Sequence, residues 1–292
     1  MRRTSYIITA ALAVTLAACS AETETKAPEQ PFSTAVAAYA DGNYGTALPL
    51  IEPHAKSGNV TAQMMLAELY LTGKAGIVDE TEGVNWLGKA AEQGDVKALS
   101  MMGTRYLNGQ GVETDEDKAV EYLLAAAKDG NARANIQMGF LYEYGKAVEQ
   151  DYDAAGRFYY RAALMGDEEG VSRLAKLSET DAVGPSAYLG LLYRDGKIVE
   201  QNSSKAFALV LKDAEAGHPY SQHVISEAYG VGQGTERDIE TAYMWANLAA
   251  AQSFPEAAKR RDVWAQIMTP EQIETAQTMS REWQANFDAT SD

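Results

Sequence analysis

Few residues of this 292-residue chain are placed to do covalent chemistry. There is one cysteine, Cys19, and there are three histidines, His54, His218 and His223. A side-chain nucleophile needs a base beside it, and a catalytic zinc needs about three protein ligands. Neither arrangement is written here: G-x-S-x-G, S-x-x-K, H-E-x-x-H and the phosphate-binding G-x-x-x-x-G-K-[ST] are all absent. His218 and His223 stand on either side of Pro219 with no cysteine or carboxylate cluster between them, so surface or helix-capping histidines are expected. The 41 acidic side chains include pairs of the kind a carbohydrate hydrolase uses, but a chain this acidic supplies such pairs by chance. No catalytic residue, metal or cofactor is therefore expected.

Charge narrows the partners. A formal net charge of −16 and a pI near 4.7 repel nucleic acid and anionic lipid headgroups, so nucleic acid is excluded as a partner. With a single cysteine no intramolecular disulfide can form, which excludes a disulfide scaffold.

Cys19 has a different chemistry. Arg2 and Arg3 precede an apolar run from Tyr6 to Leu16 that is too short to span a bilayer, and the sequence LAAC follows at once. This resembles a bacterial lipobox. The resemblance implies cleavage before Cys19, acylation of its thiol and an anchor whose affinity grows by roughly 0.8 kcal/mol per buried CH2. Residues 1–18 are then a lipoprotein signal peptide, and their loss leaves 23 basic against 41 acidic side chains. Ser20 stands where an aspartate would signal inner-membrane retention, which favours the outer membrane, at its periplasmic face. Residues 19–31 are polar, contain two prolines and lack a hydrophobic face, and read as a lipidated, disordered tether.

The body of the chain repeats itself. Tyr70, Tyr106 and Tyr142 are 36 residues apart, Tyr193 follows after 51, and Tyr229 after another 36. Gly73, Gly109, Gly145, Gly196 and Gly232 keep the same steps, as do Trp86, Tyr122, Phe158, Leu209 and Trp245. A fixed step of this length signals stacked supersecondary units, each unable to bury its apolar face alone.

Each series has a mechanical reason that makes the unit a helix pair. Leu66, Met102, Met138, Leu189 and Ile225 lie one helical turn before the tyrosines, which makes them core positions. The next residue in each unit, Ala67, Gly103, Gly139, Gly190 or Ser226, is small and lets the paired helix come close. The Gly73 series supplies the left-handed residue that ends a helix. Asp79, Asp115, Asp151, Asn202 and Asp238 suit the N-cap of the second helix, with Glu82 completing a capping-box pair with Asp79. Second helices then stop at Gly94, Gly130, Gly166 and Gly217.

The pattern A-x-x-x-L-G-x-x-Y-x-x-G-x-G-V, a loop with Asp, then K-A-x-x-Y-x-x-x-A-A-x-x-G is clearest from Ala98 to Gly130. It resembles the Sel-one-like repeat, a relative of the tetratricopeptide repeat, over roughly residues 62–253. The resemblance implies an all-α fold, a right-handed α-α superhelix of helix pairs. A shorter-looped first unit at 33–58 is closer to a tetratricopeptide unit. The repeat solenoid is thus expected over 32–253. The 51-residue step holds about 15 extra residues at 167–181, where Val171, Leu174 and Leu177 predict one added helix that kinks the superhelix. The loops GKAGI, GKAVE and GKIVE depart from G-x-G-V, leaving their shape open. Residues 254–292 read as C-terminal capping helices, with Thr269 and Pro270 starting the second, and Trp264 and Trp283 are expected in the core.

By tetratricopeptide analogy the first helix of each pair lines a concave groove. The projection places Met64, Leu71, Leu107, Ile136, Phe140, Tyr144, Ala187 and Leu191 inward, with Glu68, Arg194, His223 and Glu227 among them. The expected function is a non-catalytic protein–protein interaction scaffold of the bacterial cell envelope, held to the membrane by its lipid. The alternative is an envelope enzyme such as a peptidoglycan-directed hydrolase. Cysteine-rich members of the family have been linked to penicillin, but this chain lacks their paired cysteines, so that activity is not carried over.

Overall fold

The computed structural model describes residues 31–291, so Cys19 and the tether before Pro31 lie outside the described residues. The described residues form fifteen helices and no strand. They run α1 (Phe32–Ala40), α2 (Tyr44–Lys56), α3 (Val60–Thr72), α4 (Glu80–Glu92), α5 (Val96–Asn108), α6 (Glu116–Lys128), α7 (Ala132–Tyr144) and α8 (Tyr152–Leu164). After them come α9 (Glu168–Ser178), α10 (Pro185–Asp195), α11 (Ser203–Glu215), α12 (Pro219–Val231), α13 (Ile239–Ala251), α14 (Pro255–Ala265) and α15 (Pro270–Ser291). From α1 to α14 each helix packs on the next in the chain, and α15 turns back onto α13. Each contact is thus local in sequence, as stacked units require. None of these helices is long and apolar enough to cross a membrane.

Helix ends follow the predicted chemistry, except that the Asp79 N–H goes to the Tyr70 carbonyl and not to the Glu82 side chain, so no reciprocal capping box forms there. Gly73, Gly109, Gly145, Gly196 and Gly232 all take left-handed φ between 63° and 76° at the end of a first helix. The side chains of Asp79, Asp115, Asp151, Asn202 and Asp238 each accept a backbone N–H from the first turn of the second helix. The same capping residues also donate their own N–H to the carbonyls of Tyr70, Tyr106, Tyr142, Tyr193 and Tyr229, at 2.9–3.1 Å. That bond closes every loop alike, including the three that depart from G-x-G-V. In one of those, Ala147 holds a φ of 60° where Gly111 and Gly234 stand in the regular loops.

The core follows from the same positions. Leu66, Met102, Met138, Leu189 and Ile225 are all buried. Beside Gly139, a Cβ would stand 2.5 Å from the Tyr159 ring, and beside Gly103 it would stand 2.6 Å from Leu123. Any side chain there would force the paired helices apart. Of the repeated tyrosines, Tyr142 is half-buried and stacks on Phe158 with ring centroids 5.6 Å apart. Its side chain packs against both main core clusters.

The inserted helix forms as predicted, with Leu174 and Leu177 buried and Asp167 capping its start. It packs between α8 and α10, which also touch each other. At the C-terminus Thr269 and Gln272 form a reciprocal capping box, Ala276 is buried under α13, and Trp264 is buried. Trp283 is half-buried, edge-on to Trp245 and stacked on Phe287.

Candidate functional site

The first-helix positions projected onto a groove divide into two groups. Met64, Leu71, Leu107 and Phe140 are half-buried and Tyr144 is 50% exposed, so they present apolar surface. Ile136, Ala187 and Leu191 do not: they are 9%, 0% and 4% exposed and belong to the core. Ala187 and Leu191 lie on α10, which packs against α8, α9 and α11 at once and so is covered on several sides. Ile136 and Leu191 share one core cluster with Leu174 and Leu177 of α9.

Charged groups mark both ends of the row. Near the first unit, Lys74 donates to Glu68 at 2.5 Å, and this bond holds the Glu68 carboxyl below the usual carboxylate range. In the middle, the Phe140 and Tyr144 rings lie 4.5 Å apart, with the Arg173 guanidinium of α9 5.7 Å from the Phe140 centroid. Glu143 beside them accepts from the Tyr159 hydroxyl at 2.5 Å and meets Arg173 at 3.7 Å. Burial first, then Glu143, pushes the Tyr159 hydroxyl up. Arg194 pairs with its neighbour Asp195 at 2.9 Å. At the far end Arg260 of α14 pairs closely with Glu227, and Glu227 also stands 3.9 Å from His223.

The histidines are the larger correction. His218 and His223 were expected at the surface or as caps, yet their side chains are only 12% and 13% exposed. His218 does occupy the N-cap position of α12, but its ring bonds side chains rather than the helix backbone. Its Nε2 lies 3.1 Å from Asp153 and its Nδ1 2.8 Å from the Ser221 hydroxyl. Asp153 also accepts from the Tyr188 hydroxyl at 3.0 Å. Burial raises the Asp153 carboxyl, but the His218 and Tyr188 bonds outweigh it and leave it below its ordinary value. Burial pushes the His223 imidazole down.

Asp153, His218 and Ser221 have the residue types of a nucleophilic triad, but the geometry does not serve one. Ser221 is fully buried in the first turn of α12, so no substrate carbonyl can approach its oxygen. The trio acts as a polar clamp joining α8 to the start of α12. Sequence reading missed it because Asp153 and His218 meet only once the insertion has folded. Among the described residues no group of three or more His, Cys, Asp or Glu side chains is arranged to hold a metal ion.

The arrangement is that of a tandem helix-pair scaffold with a polar junction at its insertion. The Sel1 repeat pattern matches residues 60–95, 96–131, 132–167, 187–218 and 219–254, and the chain belongs to that family. The gap between the third and fourth repeats falls on α9. Alginate biosynthesis protein AlgK of Azotobacter vinelandii is 29% identical over 101 residues, and that of Pseudomonas syringae is 27% identical over 106. These stretches are 34% and 36% of this chain, and the chain spans only 22% of the length of either relative. Among solved structures, a Sel1 repeat protein from Oxalobacter formigenes is 24% identical with a TM-score of 0.45, covering 87% of this chain and 95% of that one. A protective antigen of uropathogenic Escherichia coli displaying an SLR fold is 20% identical, also with a TM-score of 0.45, covering 82% of this chain and 64% of that one.

Proposed function

We propose that the protein is a non-catalytic scaffold that binds another protein and is anchored by lipid at the periplasmic face of the outer membrane. The observation that carries the binding role is the row of half-buried or exposed apolar side chains, Met64, Leu71, Leu107, Phe140 and Tyr144, on successive first helices of a shared frame. Apolar surface held open by a rigid stack is unfavourable in water and gains by covering. Arg194 extends the row beyond the insertion, whereas Ile136 and Leu191 act from beneath it as packing.

The lipid anchor rests on LAAC. Growth on a palmitate analogue labels the wild type, and Cys19→Ala removes the label; persistent labelling of that variant refutes the anchor. The groove is tested by Leu71→Ala with Leu107→Ala, which leaves helicity intact and weakens retention of whatever protein the wild type crosslinks in intact cells. Full retention by a normally folded double variant moves the binding face elsewhere. Zymography of the purified protein on peptidoglycan tests the hydrolase alternative, and the scaffold reading predicts no clearing.

A further inference from the structure

Beside the insertion lies an open-sided cleft of about 1300 Å³. One wall is the α7–α8 loop with Tyr144 and Tyr152, and the other is the α9–α10 connection with Val183. These three side chains are 50%, 38% and 36% exposed, so large apolar surface faces solvent from both walls. Three tyrosines apart, the ionisable residues that line the cleft are five carboxylates and one imidazole, with no Lys or Arg. Glu143, Asp151 and Asp153 are already engaged, by Tyr159 and Arg173, by the α8 backbone, and by His218 and Tyr188. Glu149 and Asp181 are exposed, one on each wall, and neither makes a hydrogen bond or ion pair among the described residues.

We infer that this cleft binds an extended segment of a partner protein in which Arg or Lys alternates with apolar residues. Charge complementarity chooses the occupant: two unpaired carboxylates flank aromatic rings, the setting in which a guanidinium both pairs with a carboxylate and stacks on an aromatic face. A second copy of this chain fits poorly, since two bodies of net charge −16 repel one another. This deepens the scaffold reading and rests on it; the cleft shares Tyr144 with that row, but every residue substituted in its test lies outside the row.

The test is fluorescence anisotropy of a labelled ten-residue peptide of alternating Arg and Leu, added to the full chain at physiological salt. An alternating Glu and Leu peptide serves as control. Because any basic peptide is drawn to an acidic protein, two charge-matched double variants are compared. Glu149→Gln with Asp181→Asn removes the cleft pair, and Glu274→Gln with Glu282→Gln removes two exposed carboxylates from α15. The cleft variant is expected to bind roughly three- to tenfold more weakly, as for two partly exposed ion pairs, and the α15 variant to bind as wild type does. Val183→Ser with Tyr152→Ala should weaken binding in the same direction at high salt, where charge attraction is screened. Equal losses in both charge variants, or no binding above the Glu and Leu control, overturn the cleft. Neither result touches partner retention through Leu71 and Leu107, which fails or survives on its own variants.

Discussion

The units before the insertion and the junction that follows it satisfy their helix ends by different means. In α3, α5 and α7 the N-terminal cap is local: Asn59, Asp95 and Asn131 each accept the backbone N–H three residues on, at 2.8–2.9 Å. At α10 the corresponding residue is Gly184, at φ 108°, which has no side chain to offer. Asp213 of α11 supplies the cap instead, accepting the Ala187 N–H at 2.7 Å from 26 residues away. Lys212 beside it donates to the carbonyls of Ser178 and Thr180 at the end of α9, both at 2.7 Å. The regular first helices α3, α5 and α7 therefore start on a cap from their own turn, while α10 takes its side-chain cap from α11 through tertiary contact.

The largest expected effect shows what the two regions share. Leu123 in α6 and Leu192 in α10 are 0% and 1% exposed. Replacing either with Ala should cost about 2–5 kcal/mol, read from urea unfolding, because the core positions are equivalent on both sides. A loss confined to Leu123→Ala would mean that the junction is loosely packed and the comparison misplaced.

Next in size is the cap itself. Asp213→Ala removes the charged acceptor and leaves the buried Ala187 N–H only its 3.1 Å bond to the Gly184 carbonyl, which should cost roughly 1–3 kcal/mol. Asn131→Ala, which removes a local cap, should cost about 1 kcal/mol. Hydrogen exchange sharpens the contrast: the Asp213 variant should open α9 and α10 together, while the Asn131 variant frays only the start of α7.

The smallest effect is in pH, and the two junction aspartates have opposite signs. Burial raises the Asp213 carboxyl above its ordinary value, so its contribution is full below about pH 4 and is lost as pH rises through the folded value. The Asp153 carboxyl sits below its ordinary value because its hydrogen bonds to His218 and Tyr188 outweigh the opposing effect of burial. Its contribution is therefore present above about pH 4 and is lost as pH falls through the folded value. Urea titrations between pH 3 and 7 should show wild type losing its lead over Asp213→Asn as pH rises, and losing its lead over Asp153→Asn as pH falls. Parallel slopes for the two variants would contradict these assignments.

The repeat frame was legible in the sequence because its determinants are periodic and local. Glycine at the left-handed position, Asp or Asn six residues on and a large residue before each small one act within one unit, so spacing alone revealed them. The first-helix caps Asn59, Asp95, Asn131 and Asp167 were missed, although each follows a helix-ending glycine, a signal that was available. The candidate site was less legible. Projecting a regular groove on both sides of the insertion put Ile136 and Leu191 in water, whereas both belong to the core cluster that also holds Leu174 and Leu177 of α9. His218 and Asp153, 65 positions apart in sequence, carry no periodic mark at all.

The central claim, that the first-helix face binds a protein, is tested most directly by site-specific photocrosslinking in intact cells. A photoreactive phenylalanine analogue is placed at Leu71, Leu107 or Phe140 on the proposed face, or at Glu274 or Glu282 on exposed parts of α15. The account predicts one discrete protein adduct, common to the three face positions and missing from the α15 positions. Adducts from α15 alone, or none anywhere from a protein that clears peptidoglycan, would contradict it.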